Sequence, residues 1–269
     1  MTSSKERTMN IHPTAIIHKN AQISPSSKIG PYCVIGPDVI LEDNVILRSH
    51  VCIDGKTTIG EGTEIFPFAS IGSKPQDLKF QGEDSVIIIG KHNSIREYVT
   101  VHQGTKDGHM ETVIGDNCLL MIGVHIAHDC IIGNNVVMAN NATLAGHVEI
   151  GDNVILGGMS AYHQFVKIGR NAIIGGGSIV VDNIVPFANI RGERAFLNGI
   201  NIVGLKRTGQ SNEDISTLKK AYDEIFMADA ETLEQRVESA YHRYGDSALV
   251  KELIDFIKNS DRALCLPQK

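Results

Sequence analysis

Counting in sixes from Ile11 lands on Ile17, Ile23, Ile29, Ile35, Leu41, Leu47, Ile53, Ile59, Ile65 and Ile71. All eleven positions are Ile or Leu in a chain that is 42% hydrophobic. Apolar residues would fill such a frame by chance about once in 10⁴ trials. A second series runs from Ile114 through Leu120, Ile126, Ile132, Met138, Leu144, Ile150, Leu156, Tyr162, Ile168 and Ile174 to Val180, and Ile89, Ile95 and Val101 lie between the two. A period of six fits neither an α-helix nor an alternating strand. It fits a short strand followed by a turn, and three such units close a triangular coil with the Ile/Leu positions pointing inward. Small residues and Asn at the turns relieve corners where other side chains are strained. No coil can bury its apolar face alone, so the coils must stack into a solenoid with a continuous aliphatic core.

Two interruptions are predicted. Asp77 and Glu83 fall on core positions between Ile71 and Ile89. Unpaired charges are not tolerated in an aliphatic column, so residues near 73–88 are expected to loop out. From Val101 to Ile114 the step is thirteen rather than twelve. A second loop is therefore expected near 103–112, containing Gly104, Gly108 and His109. Loops on a rigid scaffold commonly carry function. The repeat, and with it the β-solenoid, is read over 11–190, preceded by an N-terminal extension over 1–10 and followed by a connecting segment over 191–210. Residues 211–269 read as helical. Ser211 is a candidate N-cap before Glu213 and Asp214, and Ile215, Leu218, Tyr222 and Ile225 recur at helical spacing, as do Leu233, Val237 and Tyr241, then Leu249, Leu253 and Ile257. This helical domain is expected to close the open end of the solenoid, since an uncovered β edge invites aggregation.

The net charge of −6 argues against a general nucleic-acid partner, which needs a basic surface. The five cysteines form no C-x-x-C pair, so a zinc ribbon or thioredoxin-like centre is not expected; reduced, partly buried thiols in a cytoplasmic protein are. No apolar run is long enough for a membrane span, and the opening MTSSKERT lacks the apolar core of a signal peptide. Met9 is an alternative start.

Four of the eleven histidines, His125, His128, His147 and His163, crowd into one stretch. Ile126, Leu144 and Tyr162 occupy equivalent places on successive coils, so the histidines beside them should project along one edge of the stack, with coils about 4.8 Å apart. For one histidine, an idle surface position is the better reading. Four at one edge, beside Gln164 and the turn Leu144-Ala145-Gly146, point to a site. A zinc centre is the rival, since histidine is a common metal ligand, but no carboxylate or cysteine completes an obvious ligand set, and no metal is expected. A near-neutral histidine can take a proton from a sugar hydroxyl that attacks a thioester. A backbone N–H at a glycine turn such as Gly146 can receive the oxyanion.

The run LLMIGVHIAHDCIIGNNVVMANNATLAGHVEIGD, followed by GGMSAYHQF and NIVGLKR and preceded by IHPTAII, SHV, FASIG, QDLKF and IRE-VT-H, resembles the bacterial UDP-N-acetylglucosamine 3-O-acyltransferases. The resemblance spans nearly the whole chain and is far more specific than hexapeptide repeats alone. It implies a left-handed parallel β-helix with a C-terminal α-helical domain, assembled as a homotrimer with active sites between neighbouring subunits. The implied reaction opens lipid A synthesis. A 3-hydroxyacyl group moves from the phosphopantetheine thioester of acyl carrier protein to the glucosamine 3-hydroxyl of UDP-N-acetylglucosamine, with no further cofactor. Residue by residue, the resemblance makes His128 the general base, Asp129 its orienting partner and Gly146 the oxyanion donor. His125, His147, His163 and Gln164 would contact the nucleotide sugar or acyl chain, Asp77 and Lys79 would reach in from the first loop, and Asn201 and Arg207 would meet the uridine diphosphate. Gly176 matches the family's acyl-chain ruler, where an open position admits a long chain. The family's Glu between Asn and Arg is Val203 here, and its second Arg is Thr208.

The related N-acyltransferase of the same pathway would carry a domain ahead of the repeats. A γ-class carbonic anhydrase would share the solenoid but need zinc, and a bare scaffold would not need His128. Within 165–210, six basic residues (Lys167, Arg170, Arg191, Arg194, Lys206, Arg207) face two acidic ones, a basic patch suited to an acidic carrier protein.

Overall fold

The computed structural model describes residues 10–228 and 231–268; the extension read over 1–10 lies, but for Asn10, outside the described residues. Two-residue strands dominate the first two-thirds of the chain and stack into three sheets of 11, 9 and 8 strands, parallel throughout except for the last strand of the first. Face 1 begins with Asn10–Ile11, face 2 with Ile16–Ile17 and face 3 with Gln22–Ile23. Each strand pairs with its counterpart one coil on, as Ile11 with Ile29 and Ile17 with Ile35. The product is a left-handed parallel β-helix.

The Ile/Leu column points inward as expected: Ile53, Ile59, Ile65, Leu120, Ile126, Leu144 and Leu156 are fully buried. Ile11, Ile17 and Ile23 are only partly buried, because among the described residues no coil lies beneath the first. A second inward column stands two residues before the first: Val39, Val45, Val51, Val99, Val124, Val136, Val148 and Val154. Cys33, Cys118 and Cys130 occupy it, which explains their burial. All five cysteines are free, and burial raises the Cys118 thiol to about 11.

The corners need a residue with φ > 0, as at the third position of a type II turn. Asn44, Asn117, Asn135, Asn141, Asn153 and Asn171 supply it, all with φ between 56° and 60°. Asn tolerates this region better than most side chains. Asp129, His147 and Phe165 occupy the same left-handed place at the corner between faces 2 and 3, as Tyr32, His50, Phe68 and Tyr98 do at other turns.

Both interruptions are loops. Strands Ser70–Ser73 and Val86–Ile89 leave residues 74–85 outside the stack, with Asp77 and Glu83 out of the core. Residues 86–88, read as looped, pair instead with Lys56–Thr58. The second loop occupies 103–110, between Thr100–His102 and Glu111–Ile114.

Beyond the repeat, the stretch 191–210 is more than a connection. Ala188–Arg191 and Phe196–Ile200 form an antiparallel hairpin that ends face 1, and α1 (Ile202–Arg207) follows. Phe187, Ile190, Leu197 and Leu205 plug the terminal coil. Helices α2 (Asn212–Phe226), α3 (Leu233–Tyr244) and α4 (Ala248–Lys258) pack on one another. Ser211 caps α2 by accepting from the Asp214 N–H, a bond of about 1 kcal/mol. On α3 the inward face holds Val237 and Ala240, while Tyr241, read as inward, is exposed. The end of the solenoid is thus covered mainly by the hairpin, α1 and the chain after α4, whose Leu264 bridges Asn183. Arg170 ties α4 alongside through a bidentate pair with Glu252.

Candidate active site

His128 and Asp129 form the turn after the strand His125–Ile126. His128 Nδ1 lies 2.8 Å from Asp129 Oδ2. Asp129 is fully buried yet saturated: it accepts from the Thr105 N–H, the Thr105 hydroxyl at 2.7 Å and the His109 N–H at 2.9 Å. Burial alone would raise its pKa, but the bonds from His128 and Thr105 and the charge of His147 outweigh it, and the net shift is downward. A carboxylate can only accept, so His128 Nδ1 carries the proton and Nε2 is left with a lone pair. The second loop supplies three of the donors, and so both covers Asp129 and holds it ionised.

One coil on, Gly146 stands against the same imidazole. A Cβ there would lie 2.6 Å from His128 Nε2 and 2.5 Å from Cε1, so any side chain would displace the ring. The Gly146 N–H has no acceptor among the described residues. This corner position needs no N–H, and other coils place Pro31, Pro37 and Pro67 there. At Gly146 the donor is free beside His128.

His147 stacks on Phe165 with centroids 4.3 Å apart and meets His128 edge-on at 4.9 Å. Burial lowers its pKa, opposed by Asp129 and assisted by His128. Burial also lowers His125, again helped by the His128 charge, and its Nδ1 bonds the Thr100 hydroxyl at 2.7 Å.

Two grooves meet at His128. One, of about 530 Å³, is lined by His125, His128, Gly146, His163, Gln164 and also Gln76 and His102. The other, of about 570 Å³, is lined by Asp77, Lys79, His147 and Phe165, and shares His128, Gln164 and Gln76. The structure thus brings together His125, His128, Asp129, Gly146, His147, His163, Gln164, Asp77 and Lys79. It does not bring Asn201 or Arg207 to them. Asn201 is buried at the N-terminus of α1, where it accepts from the Gly204 N–H and donates to the Asn171 carbonyl. That turn joins faces 3 and 1, a different corner of the prism, and Arg207 is exposed nearby. Thr208, in place of the family's second Arg, accepts from Asn171 Nδ2. Gly176 lies between Ile173–Ile174 on face 1 and Ile179–Val180 on face 2, across face 2 from His128. The left-handed residue of that turn is Gly177 (φ 70°), so the turn does not itself require glycine at 176.

The expectation that no carboxylate completes a ligand set is corrected. Asp129, His128 and His147 place ligand atoms within 4.8 Å of one another. Stacking delivers the third member from the next coil. The oxygens of Asp129 are nevertheless occupied by the donors above, an arrangement that anchors a histidine. The basic patch also shrinks: Arg170 is paired with Glu252, and Lys167 lies near Glu149 and Asp261. Exposed Arg191, Arg194, Lys206 and Arg207 remain.

Sequence reasoning missed four groups. His102, on the next strand of face 2, packs edge-on to His125 at 5.0 Å and is lowered to about 4, chiefly by burial. Its displacement by the second loop hid it from the repeat count. Thr105 carried no signal beyond its place in the second loop, while Gln76 and Phe165 belong to the segments QDLKF and GGMSAYHQF without having been singled out there.

Known proteins bear on this constellation. The hexapeptide transferase profile matches residues 20–55 and 111–146, and the profile of UDP-N-acetylglucosamine O-acyltransferase domain 2 matches residues 183–265. An acyl-[acyl-carrier-protein]--UDP-N-acetylglucosamine O-acyltransferase of Caulobacter vibrioides is 47% identical over 262 residues, covering 97% of this chain and 99% of its own. That of Rickettsia prowazekii is 56% identical over 214 residues, 79% of this chain and 81% of its own. The solved UDP-N-acetylglucosamine O-acyltransferase of Moraxella catarrhalis superposes with a TM-score of 0.92 at 42% identity, over 96% of this chain and 100% of that one. With repeat, terminal domain and near-full-length identity in agreement, the chain belongs to the UDP-N-acetylglucosamine O-acyltransferase family.

Proposed function

We propose that the protein transfers a 3-hydroxyacyl group from acyl carrier protein to the 3-hydroxyl of UDP-N-acetylglucosamine, the opening step of lipid A synthesis. The observation that carries the chemistry is the His128–Asp129 pair with Gly146 against the open Nε2. His128 Nε2 takes the proton of the sugar hydroxyl as its oxygen attacks the thioester carbonyl. The C–O bond forms, the Gly146 N–H receives the oxyanion, and collapse expels the thiolate, which regains the proton from His128. Asp129 fixes the ring and stabilises the imidazolium. Every step uses groups of the chain itself, so no metal or further cofactor is invoked. His125, His163 and Gln164 are assigned to one groove, Asp77, Lys79 and His147 to the other, and Gly176 to the far end of the acyl slot.

Asn201 and Arg207 serve the uridine diphosphate only if another copy presents them, which favours a homotrimer with shared sites. A stacked ladder of Tyr32, His50, Phe68 and Tyr98 supports this assembly. Tyr32 and Tyr98 are 57% and 59% exposed, an aromatic surface that a second copy would cover. Incubation with UDP-N-acetylglucosamine and a panel of 3-hydroxyacyl carrier proteins, read by product mass, tests the reaction. An O-acylated nucleotide sugar is expected; none with any donor would reject it.

A further inference from the structure

Arg262, on the segment after α4, contacts the site corner from behind. Its Nε donates to the Val181 carbonyl at 2.7 Å, Nη1 donates to the Gln164 carbonyl at 3.1 Å, and Nη2 lies 3.3 Å from His163 Nδ1.

The first two contacts follow from where the solenoid stops. In lower coils the corner carbonyls of His128 and Gly146 accept from the N–H groups of His147 and Phe165, each one coil further on. The equivalent partner of Gln164 is Asn183, but its N–H turns to the Ala263 carbonyl. Within a turn, the His163 carbonyl accepts from Val166; the equivalent partner of Val181 is Ile184, whose N–H goes to Lys167. Among the described residues, Gln164 and Val181 therefore present carbonyls without backbone partners, and the guanidinium takes both. The segment carrying it is held firmly. Asn183 donates to the Ser260 hydroxyl, which donates to the Arg262 carbonyl, while the Cys265 N–H returns to Asn183. With two arms of a planar fork fixed, the third is aimed at His163.

His163 Nδ1 has two possible partners: its neighbour's carbonyl, Gln164 O at 3.2 Å, and Arg262 Nη2. The first needs a proton on Nδ1 and the second forbids one, because guanidinium only donates. Arg262 also occupies the Gln164 carbonyl. We infer that Arg262 is a positioning residue that holds neutral His163 with its proton on Nε2, so that this histidine presents a donor to a substrate oxygen in the groove. The substrate half of the inference rests on the assignment of His163 to the nucleotide-sugar groove.

Full-length protein labelled with ¹⁵N-histidine, at about pH 8.5 where an ordinary imidazole is neutral, reports the tautomer by long-range ¹H–¹⁵N correlation. A His163→Gln spectrum identifies the signal. The wild type is expected to be protonated on Nε2 and Arg262→Met on Nδ1, with KM for UDP-N-acetylglucosamine raised about tenfold and kcat little changed. Arg262→Lys should behave as Arg262→Met, since one ammonium cannot serve three partners in a plane. An Nδ1-protonated wild type, or an unchanged tautomer in a folded Arg262→Met, overturns the inference, and the wild-type spectrum decides alone if that variant does not fold. A changed tautomer with unchanged KM upholds the positioning and overturns instead the assignment of His163 to substrate.

Discussion

His128 has one ring nitrogen committed and one free, and the consequences are specific. His128→Ala should lower kcat by roughly 10²–10⁴ and leave the melting temperature and assembly near wild type; steady-state kinetics with sedimentation checks both, and near-normal kcat would reject it as the base. Gly176→Met adds bulk at an exposed turn where a Cβ would meet only Gly158, at 3.2 Å from its carbonyl. Each methylene gained or lost in an apolar slot is worth about 10–200-fold in selectivity, so donor preference should move to shorter acyl chains. An active mutant with an unchanged chain-length profile places the ruler elsewhere. His102 is one pH-sensitive group, beside His125 and His147, whose values burial also lowers. Its folded pKa of about 4 lies below the ordinary histidine value, so below about pH 6.5 the unfolded chain binds more protons and stability decreases as pH is lowered. The contribution is fully present above that value and is lost as pH drops towards 4. His102→Phe should flatten the decline in melting temperature between about pH 7 and pH 5, measured by calorimetry; an undiminished slope would place the titration elsewhere.

At the scale of elements, the second loop decides whether Asp129 remains an ionised, oriented carboxylate. Thr105 donates to it twice, from backbone and hydroxyl. Thr105→Val keeps the shape and the N–H but removes the hydroxyl, a charge-assisted bond of about 1.5–3 kcal/mol. Kcat is expected to fall by about tenfold with KM for both substrates unchanged. A change confined to KM would mean that the loop touches substrate rather than Asp129.

For the whole molecule, His128 and Arg207 stand at different corners of one prism, and the proposed shared site predicts that they meet the same ligand from two copies. Chains carrying His128→Ala and chains carrying Arg207→Ala, each inactive or weak alone, should regain part of the activity when mixed assemblies form, since some sites then draw one intact residue from each. Refolded mixtures assayed against unmixed controls test this, and no recovery in verified hybrids would assign both residues to one subunit's site.

The six-residue period determined the solenoid by itself, because each Ile or Leu occupies the same inward place on its face regardless of distant contacts. The same counting exposed both loops, since Asp77 and Glu83 could not enter the column. The histidine edge was legible for a related reason: a constant coil length turns sequence phase into spatial neighbourhood. The second inward column was hidden because Val, Cys, Ala and Thr share it and no single residue type marks it. The partner of Asp129 was also hidden. Thr105 belongs to a loop whose path over the corner obeys no period. Asn201 and Arg207 lie close in sequence to the terminal repeats, yet the hairpin that ends face 1 delivers them to the turn at Asn171, at another corner. The histidines' burial, the closed hydrogen-bond shell of Asp129 and the reach of Arg262 back to Gln164 depend on chain segments tens of residues apart, and only the packed tertiary structure brings those segments into contact.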